Sequence, residues 1–420
     1  MRILLIGYAE KVITPPLGVD LCGYGFYLDR KAEAVQDDLK TRALYLKNGH
    51  RTLILISSDL IGFSVEFSDR VRMEIAAAHR VPTSDVLLAC THTHSGPATQ
   101  SLPGLGRVDA SYMKNVRASI VEATSQAAGE LVEADFSLAF EAIEAIGYNR
   151  RRNNFSGIDP VLKAGIFRTK VEKIYLLNYA CHPVVLGPHK NISADWPAAW
   201  TARIEKAGHR AIFFQGFCGD IDPVTQLNRW GQGTTADLDF YGDLLHRRLE
   251  KAENYAHPQS DVSLAAVERR ISLPLHVYGK KDIERKAASF QEKNAQFPGG
   301  QRFAEEWKSV ALKNYKAFKK TPWLQNVPIQ ALAIGNLKLL GLPGEVFSEI
   351  GLKLQRVNHP LLPLGYANGS IGYIPTRKAY RDAADYACHT APMFFQLFPF
   401  APDIEGLFLR ESRKLLRALP

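Results

Sequence analysis

The sequence predicts an α/β fold with a mixed sheet core and flanking helices, and three observations predict it. Short apolar runs of strand length alternate with longer stretches of helical periodicity. Apolar residues make up 46% of the 420 and charged residues 23%, which supplies a large core and excludes a disordered chain. Several apolar runs end in a histidine or a carboxylate beside a Gly or Pro turn, where an α/β sheet gathers its ligands.

The strand candidates are Thr52–Ser57, Asp85–Cys90, Ile174–Ala180, Ala211–Phe217 and Leu337–Leu342. Between them, Val65–His79, Ser111–Gly129 and Asp237–Tyr255 carry helical patterning. The stretch at about 280–322 is charged, basic and helical, with Pro298–Gly300 and Thr321-Pro322 as breaks, and reads as an insertion in one catalytic domain spanning 1–420. After Tyr366 the chain is rich in Tyr, Phe, Pro and Gly and weak in periodicity, suited to wrapping the sheet or to packing as loop. No internal repeat shows in the sequence.

The net charge of +9 is scattered, with no run of five like charges, so a solvated basic surface is expected and a nucleic-acid arm is not. No apolar stretch reaches bilayer length, and the N-terminus lacks the apolar region and cleavage site of a signal peptide. A cytoplasmic enzyme acting on a small molecule, without membrane insertion, is the expectation; a homo-oligomer is left open. Cys22, Cys90, Cys181, Cys218 and Cys388 are odd in number and widely spaced, which points to buried thiols rather than a disulfide framework.

Four segments carry chemistry. Leu87–Cys90 runs into Thr91-His92-Thr93-His94-Ser95-Gly96-Pro97, and alternate residues of an extended chain face one side, so both imidazoles can share a site. Ile174–Cys181 ends in His182-Pro183. Ala211–Cys218 delivers Gly219-Asp220-Ile221-Asp222-Pro223, and Leu337–Leu342 delivers Pro343-Gly344-Glu345. One carboxylate after a strand is an ordinary cap or turn residue; four strands ending this way are explained together by one shared site. His92, His182 and Glu345 make the two-His, one-Glu set of many catalytic zinc centres, which leaves a position for water. Other divalent metals suit the same donors. Asp59, after Thr52–Ser57, is expected to orient a ligand histidine or, less favoured, to hold a second metal.

Ile13–Gly18, Gly23-Tyr24, Thr91–Pro97, Asn178–Pro183, Gln215–Pro223, Leu342–Glu345 and Gly372-Tyr373 resemble, in order, the neutral/alkaline (non-lysosomal) ceramidase family. The resemblance implies one zinc ion held by His92, His182, Glu345 and Tyr373, with His94 beside the metal water as a proton relay. It implies further that Arg150, in Asn149-Arg150, contacts the scissile carbonyl and that Tyr386 stabilises the oxyanion. Asp222 stands where the family has a serine, and the 420 residues are expected to hold the family's catalytic part without its C-terminal β-sandwich. The expected function is therefore amide hydrolysis of a small polar or acylated molecule by metal-activated water, with Asp222 either engaging substrate or capping its turn. A glycosidase on the same scaffold and a non-catalytic metal-containing binding protein are the alternatives. Metallo-β-lactamase-like hydrolases are excluded because Ser95-Gly96, not Asp-His, follows His-x-His; amidohydrolase barrels place that motif on their first strand.

Overall fold

The computed structural model describes residues 3–420. Three sheets dominate it. The first is ordered Val86–Cys90, Arg51–Ser58, Lys40–Asn48, Leu4–Val12, Val132–Glu133; the second Arg210–Gln215, Lys173–Tyr179, Val161–Arg168, Asp135–Ala142, His257–Pro258; the third Leu264–Pro274, Trp323–Ile334, Leu337–Gly341, Leu361–Leu364. Each sheet repeats one topology: three antiparallel strands, then a helix-containing crossover to a fourth strand that pairs parallel with the third. The crossover helices are Val65–His79, Trp196–Lys206 and Ser348–Gln355. The repetition has no counterpart in the sequence, because sheet pairing constrains which face is apolar and not which apolar residue occupies it.

The inner faces meet in one core. Leu53, Leu55 and Leu87 from the first sheet, Leu176, Ile212 and Phe214 from the second, and Leu332, Leu339 and Leu362 from the third form a single buried cluster. Their alternate neighbours face outward onto helices: Ile54, Ile56 and Leu88 against Val71, Ile75 and Val116, and Tyr175, Leu177 and Phe213 against Trp200 and Leu245. Burial on both faces explains why these strands read as continuous apolar runs. Five expected strands and three expected helices are present, with ends within two residues of expectation; Val65–His79 has the expected bounds, started by Ser64 accepting from Phe67 N and stopped by Arg80 in the left-handed region.

The stretch at 280–320 forms two helices, Lys280–Lys293 and Pro298–Lys320, packed on the third sheet's side of the molecule. The C-terminal tail, expected to be weak in periodicity, contains the amphipathic helix Ile404–Ala418, whose Ile404, Phe408, Leu415 and Leu416 join the same core. All five cysteines are buried and free. Among the described residues no helix is long and apolar enough to cross a membrane.

Candidate metal centre and its cavity

The third and fourth strands of all three sheets end at the same side of the molecule, and their following loops build the site. After Val86–Cys90 the chain turns sharply: His92 adopts φ 71, a conformation rare outside glycine, held by its N–H donating to Leu60 O at 2.9 Å. His92 Nδ1 donates to Ile61 O at 2.6 Å, and Tyr366 stacks on the ring with centroids 3.9 Å apart. After Lys173–Tyr179, His182 donates from Nδ1 to Cys218 O at 2.7 Å. A carbonyl can only accept, so both rings carry their proton on Nδ1 and aim Nε2 inward. Glu345 Oε2 lies 3.2 Å from His182 Nε2 and 3.5 Å from His92 Nε2. The short parallel pairing of Glu345-Val346 with Tyr373-Ile374 sets Tyr373 beside Glu345.

His94, half-buried, places Nε2 3.1 Å from His92 Nε2, while its Nδ1 has no partner. That ring rests on Gly23, where a Cβ would sit 2.6 Å from Nδ1 and where φ is +102, so only glycine leaves the space. His92, His94 and His182 bring ligand atoms within 4.8 Å of one another, the cluster among the described residues that could hold a metal ion. With Glu345 the cluster offers imidazole nitrogens and one carboxylate, each imidazole of His92 and His182 oriented by a backbone carbonyl behind it, as metal ligands are.

The electrostatics agree. Burial pushes His92 below the ordinary imidazole value and His94 well below it, with His92 and His182 adding to the effect on His94. Burial also opposes charge on His182 and Glu345, but contact with Cys218 and Glu345 pushes His182 up to about 10, and the two imidazoles hold Glu345 well below the usual carboxylate range. These contacts favour positive charge beside Glu345, the place a bound cation would take.

Arg150 crosses the floor. Its guanidinium donates to Asp222 Oδ1 at 3.1 Å, Gly219 O at 2.9 Å and Tyr373 Oη at 2.7 Å. Pairing of Gly147–Asn149 with Ile221–Pro223 brings Arg150 and Asp222 together. Asp222 is thus an ion-pair partner, not a free carboxylate, and Asp220 is scaffolding that accepts from Asn149 Nδ2 and Ser348 N. Asp59 corrects an expectation: its carboxylate accepts from Arg42 Nη1 at 2.8 Å and Lys40 N at 3.0 Å and orients neither histidine. The Ile61 carbonyl does that for His92.

Two residues that pattern reading missed hold the loops together. Gln215 Nε2 donates to Cys181 O at 2.9 Å and Thr91 O at 3.2 Å, tying the His182 loop to the His92 loop. Tyr366 supplies the face under His92. The available signal was a buried polar side chain ending the apolar run Ala211–Phe214, which must satisfy its amide somewhere.

The cluster lies in a cavity of about 660 Å³. His92, His94, Glu345, Arg150, Asp222 and Tyr373 line one part of it; Phe26, Leu105, Phe290, Phe297, Met393 and Phe394 line another. Tyr386 is 49% exposed at this wall, its ring edge-on to Tyr373 with centroids 5.8 Å apart. The helices of the 280–320 stretch and the tail thus both contribute to the cavity.

The fold and site define an α/β protein with a metal-competent His/Glu cluster in an apolar cavity. Its fold is similar to that of two solved structures: neutral ceramidase from Pseudomonas aeruginosa and a ceramidase complexed with C2 each match with TM-score 0.76 and 18% sequence identity, over 100% of this chain and 75% of theirs. No family model and no curated protein matches the chain.

Proposed function

We propose that this protein is a zinc-dependent hydrolase that cleaves the amide bond of an acylated small molecule. The observation that carries the reading is the set of inward-facing Nε2 atoms of His92 and His182 converging on Glu345 in an apolar cavity. In this proposal His92, His182, Glu345 and Tyr373 hold one zinc ion. When bound there, zinc supplies Lewis acidity and lowers the pKa of water. His94, whose Nδ1 lacks the carbonyl anchor of the other two rings, serves as the proton carrier: burial favours its neutral form, which leaves one ring nitrogen with a free lone pair beside the cluster. Arg150, fixed by three acceptors, presents fixed positive charge to the scissile carbonyl, and Tyr386 donates to the developing oxyanion. The apolar wall takes the acyl part.

The ceramidase likeness in fold supports amide hydrolysis. A glycosidase would need two carboxyl groups free to act as acid and base, whereas Asp222 is paired with Arg150 and Glu345 with His182. A cavity opening onto the cluster argues against a purely structural metal. A cytoplasmic location is part of the proposal, supported by five unpaired, buried thiols. The test is hydrolysis of N-acyl amides of graded chain length before and after chelation and zinc restoration. Loss and recovery are expected; full activity in demetallated protein would refute the proposal.

A further inference from the structure

We propose that Lys286 and Lys293 form an anion-recognition site at the mouth of the cavity, so that the substrate is an amphiphilic amide carrying a sulfonate, phosphate or carboxylate group. The proposal rests on the hydrolase reading above for the word substrate, and on the following geometry for the rest.

Lys286, Ser289, Phe290 and Lys293 recur at helical spacing along Lys280–Lys293 and all line the cavity. Residues 280–320 carry eleven Lys and Arg against five Asp and Glu, a net of +6 out of the chain's +9. The ion pairs within these helices, Arg285–Asp282, Arg302–Glu306 and Lys308–Glu305, leave both lysines out, and neither has an ion-pair partner among the described residues. Lys286 Nζ lies 4.9 Å from the centroid of the Tyr278 ring, a contact that favours the ammonium without neutralising it. Lys286 is half-buried, and burial lowers its pKa, with the positive charges of Lys293 and Arg285 adding to the lowering.

The cavity offers them no counter-charge. Asp222 and Glu345 are its lining carboxylates among the described residues, and both are committed, to Arg150 and to the histidines. His389 also lines the cavity, with Nε2 buried and unpartnered. Two ammonium groups without ion-pair partners beside an aromatic wall match a ligand with an apolar chain and an anionic group, because charge-assisted hydrogen bonds would compensate them.

The test is calorimetric binding of decanesulfonate and decanamide to the full chain, below micelle-forming concentration, in wild type and in the Lys286→Gln/Lys293→Gln double variant. Wild type is expected to bind decanesulfonate about 10-fold tighter than decanamide, with the preference weakened by salt. The double variant is expected to bind the two alike. Equal affinities in wild type, or equal weakening of both ligands by the double variant, would overturn the proposal. N-Decanoyl taurine and the monoanilide of decanedioic acid then place the anion on the amine or the acyl side: faster cleavage of either than of its neutral analogue supports the proposal. Binding as expected with no turnover of any amide would overturn the hydrolase reading and leave the anion site standing.

Discussion

Replacing Asp222 by Asn tests whether the ion pair with Arg150 organises the cavity floor. Asn keeps the shape and removes the charge. Breaking a buried pair by removing one partner costs about 3–5 kcal/mol. Here Asp222 is 5% exposed but Arg150 is 27% exposed, and the guanidinium keeps Gly219 O and Tyr373 Oη, so the cost should fall to about 2 kcal/mol. For 420 residues the unfolding entropy is ~0.9 kcal/mol/K, which converts this to a fall in Tm of about 2 °C. The assay is thermal unfolding of Asp222→Asn, Arg150→Met and the double variant, each with catalytic rates on an N-acyl amide. The double variant should be less destabilised than the sum of the singles by about 1 kcal/mol or more, and Asp222→Asn should lower kcat about 10-fold because Arg150 loses its aim. Strict additivity, or an Asp222→Asn protein with wild-type kcat and Tm, would show that the Asp222–Arg150 pair does not organise the cavity floor.

Further outcomes follow from single contacts. Gly23→Ala, which puts a Cβ 2.6 Å from His94 Nδ1, should displace that ring and lower kcat about 10²-fold with zinc content preserved; elemental analysis with kinetics checks it. Tyr386→Phe should lower kcat by about 10²-fold while Tm stays unchanged, since the ring is half exposed; a rise in KM alone would place Tyr386 in binding instead. Burial and then Arg30 push His189 from 6.5 down to about 4. The unfolded chain therefore takes up this proton first, and the stability tied to His189 is full above pH 6.5 and lost as pH falls toward 4. His189→Gln should flatten the stability profile in that window by up to about 2 kcal/mol, allowing for partial exposure, as read by denaturant unfolding at pH 4.5 and 7.

The elements that were legible are those whose signal is local. The strand ends at Cys90, Tyr179 and Gly341 announce themselves by an apolar run stopped by His, Pro or Gly, and the chemistry follows within a few residues. Val65–His79 shows because its cap and its apolar face lie within its own span. Leu4–Val12 and Leu264–Pro274 escaped notice because their polar and charged residues break the apolar pattern: in the first, Glu10 and Lys11 meet partners from the neighbouring strand and helix. The threefold topology was invisible for a related reason, since each sheet fills its face with different residues. Within the site, His92, His182 and Glu345 could be named from motifs, but the groups that aim them could not. Ile61 and Cys218 act through backbone carbonyls that any residue possesses, and Asp59 turned to Arg42, a partner set by strand pairing.

In the proposed function His92, His182, Glu345 and Tyr373 hold a single zinc ion while His94 stands beside it. A crystal structure of the zinc-loaded protein, with anomalous data on both sides of the zinc edge, measures this directly. One zinc peak is expected about 2.0–2.2 Å from the Nε2 atoms of His92 and His182 and from a Glu345 oxygen, with Tyr373 Oη as the next protein donor. A peak coordinated by His94 with Glu345 outside ligand distance, or no zinc peak at these residues, would contradict it.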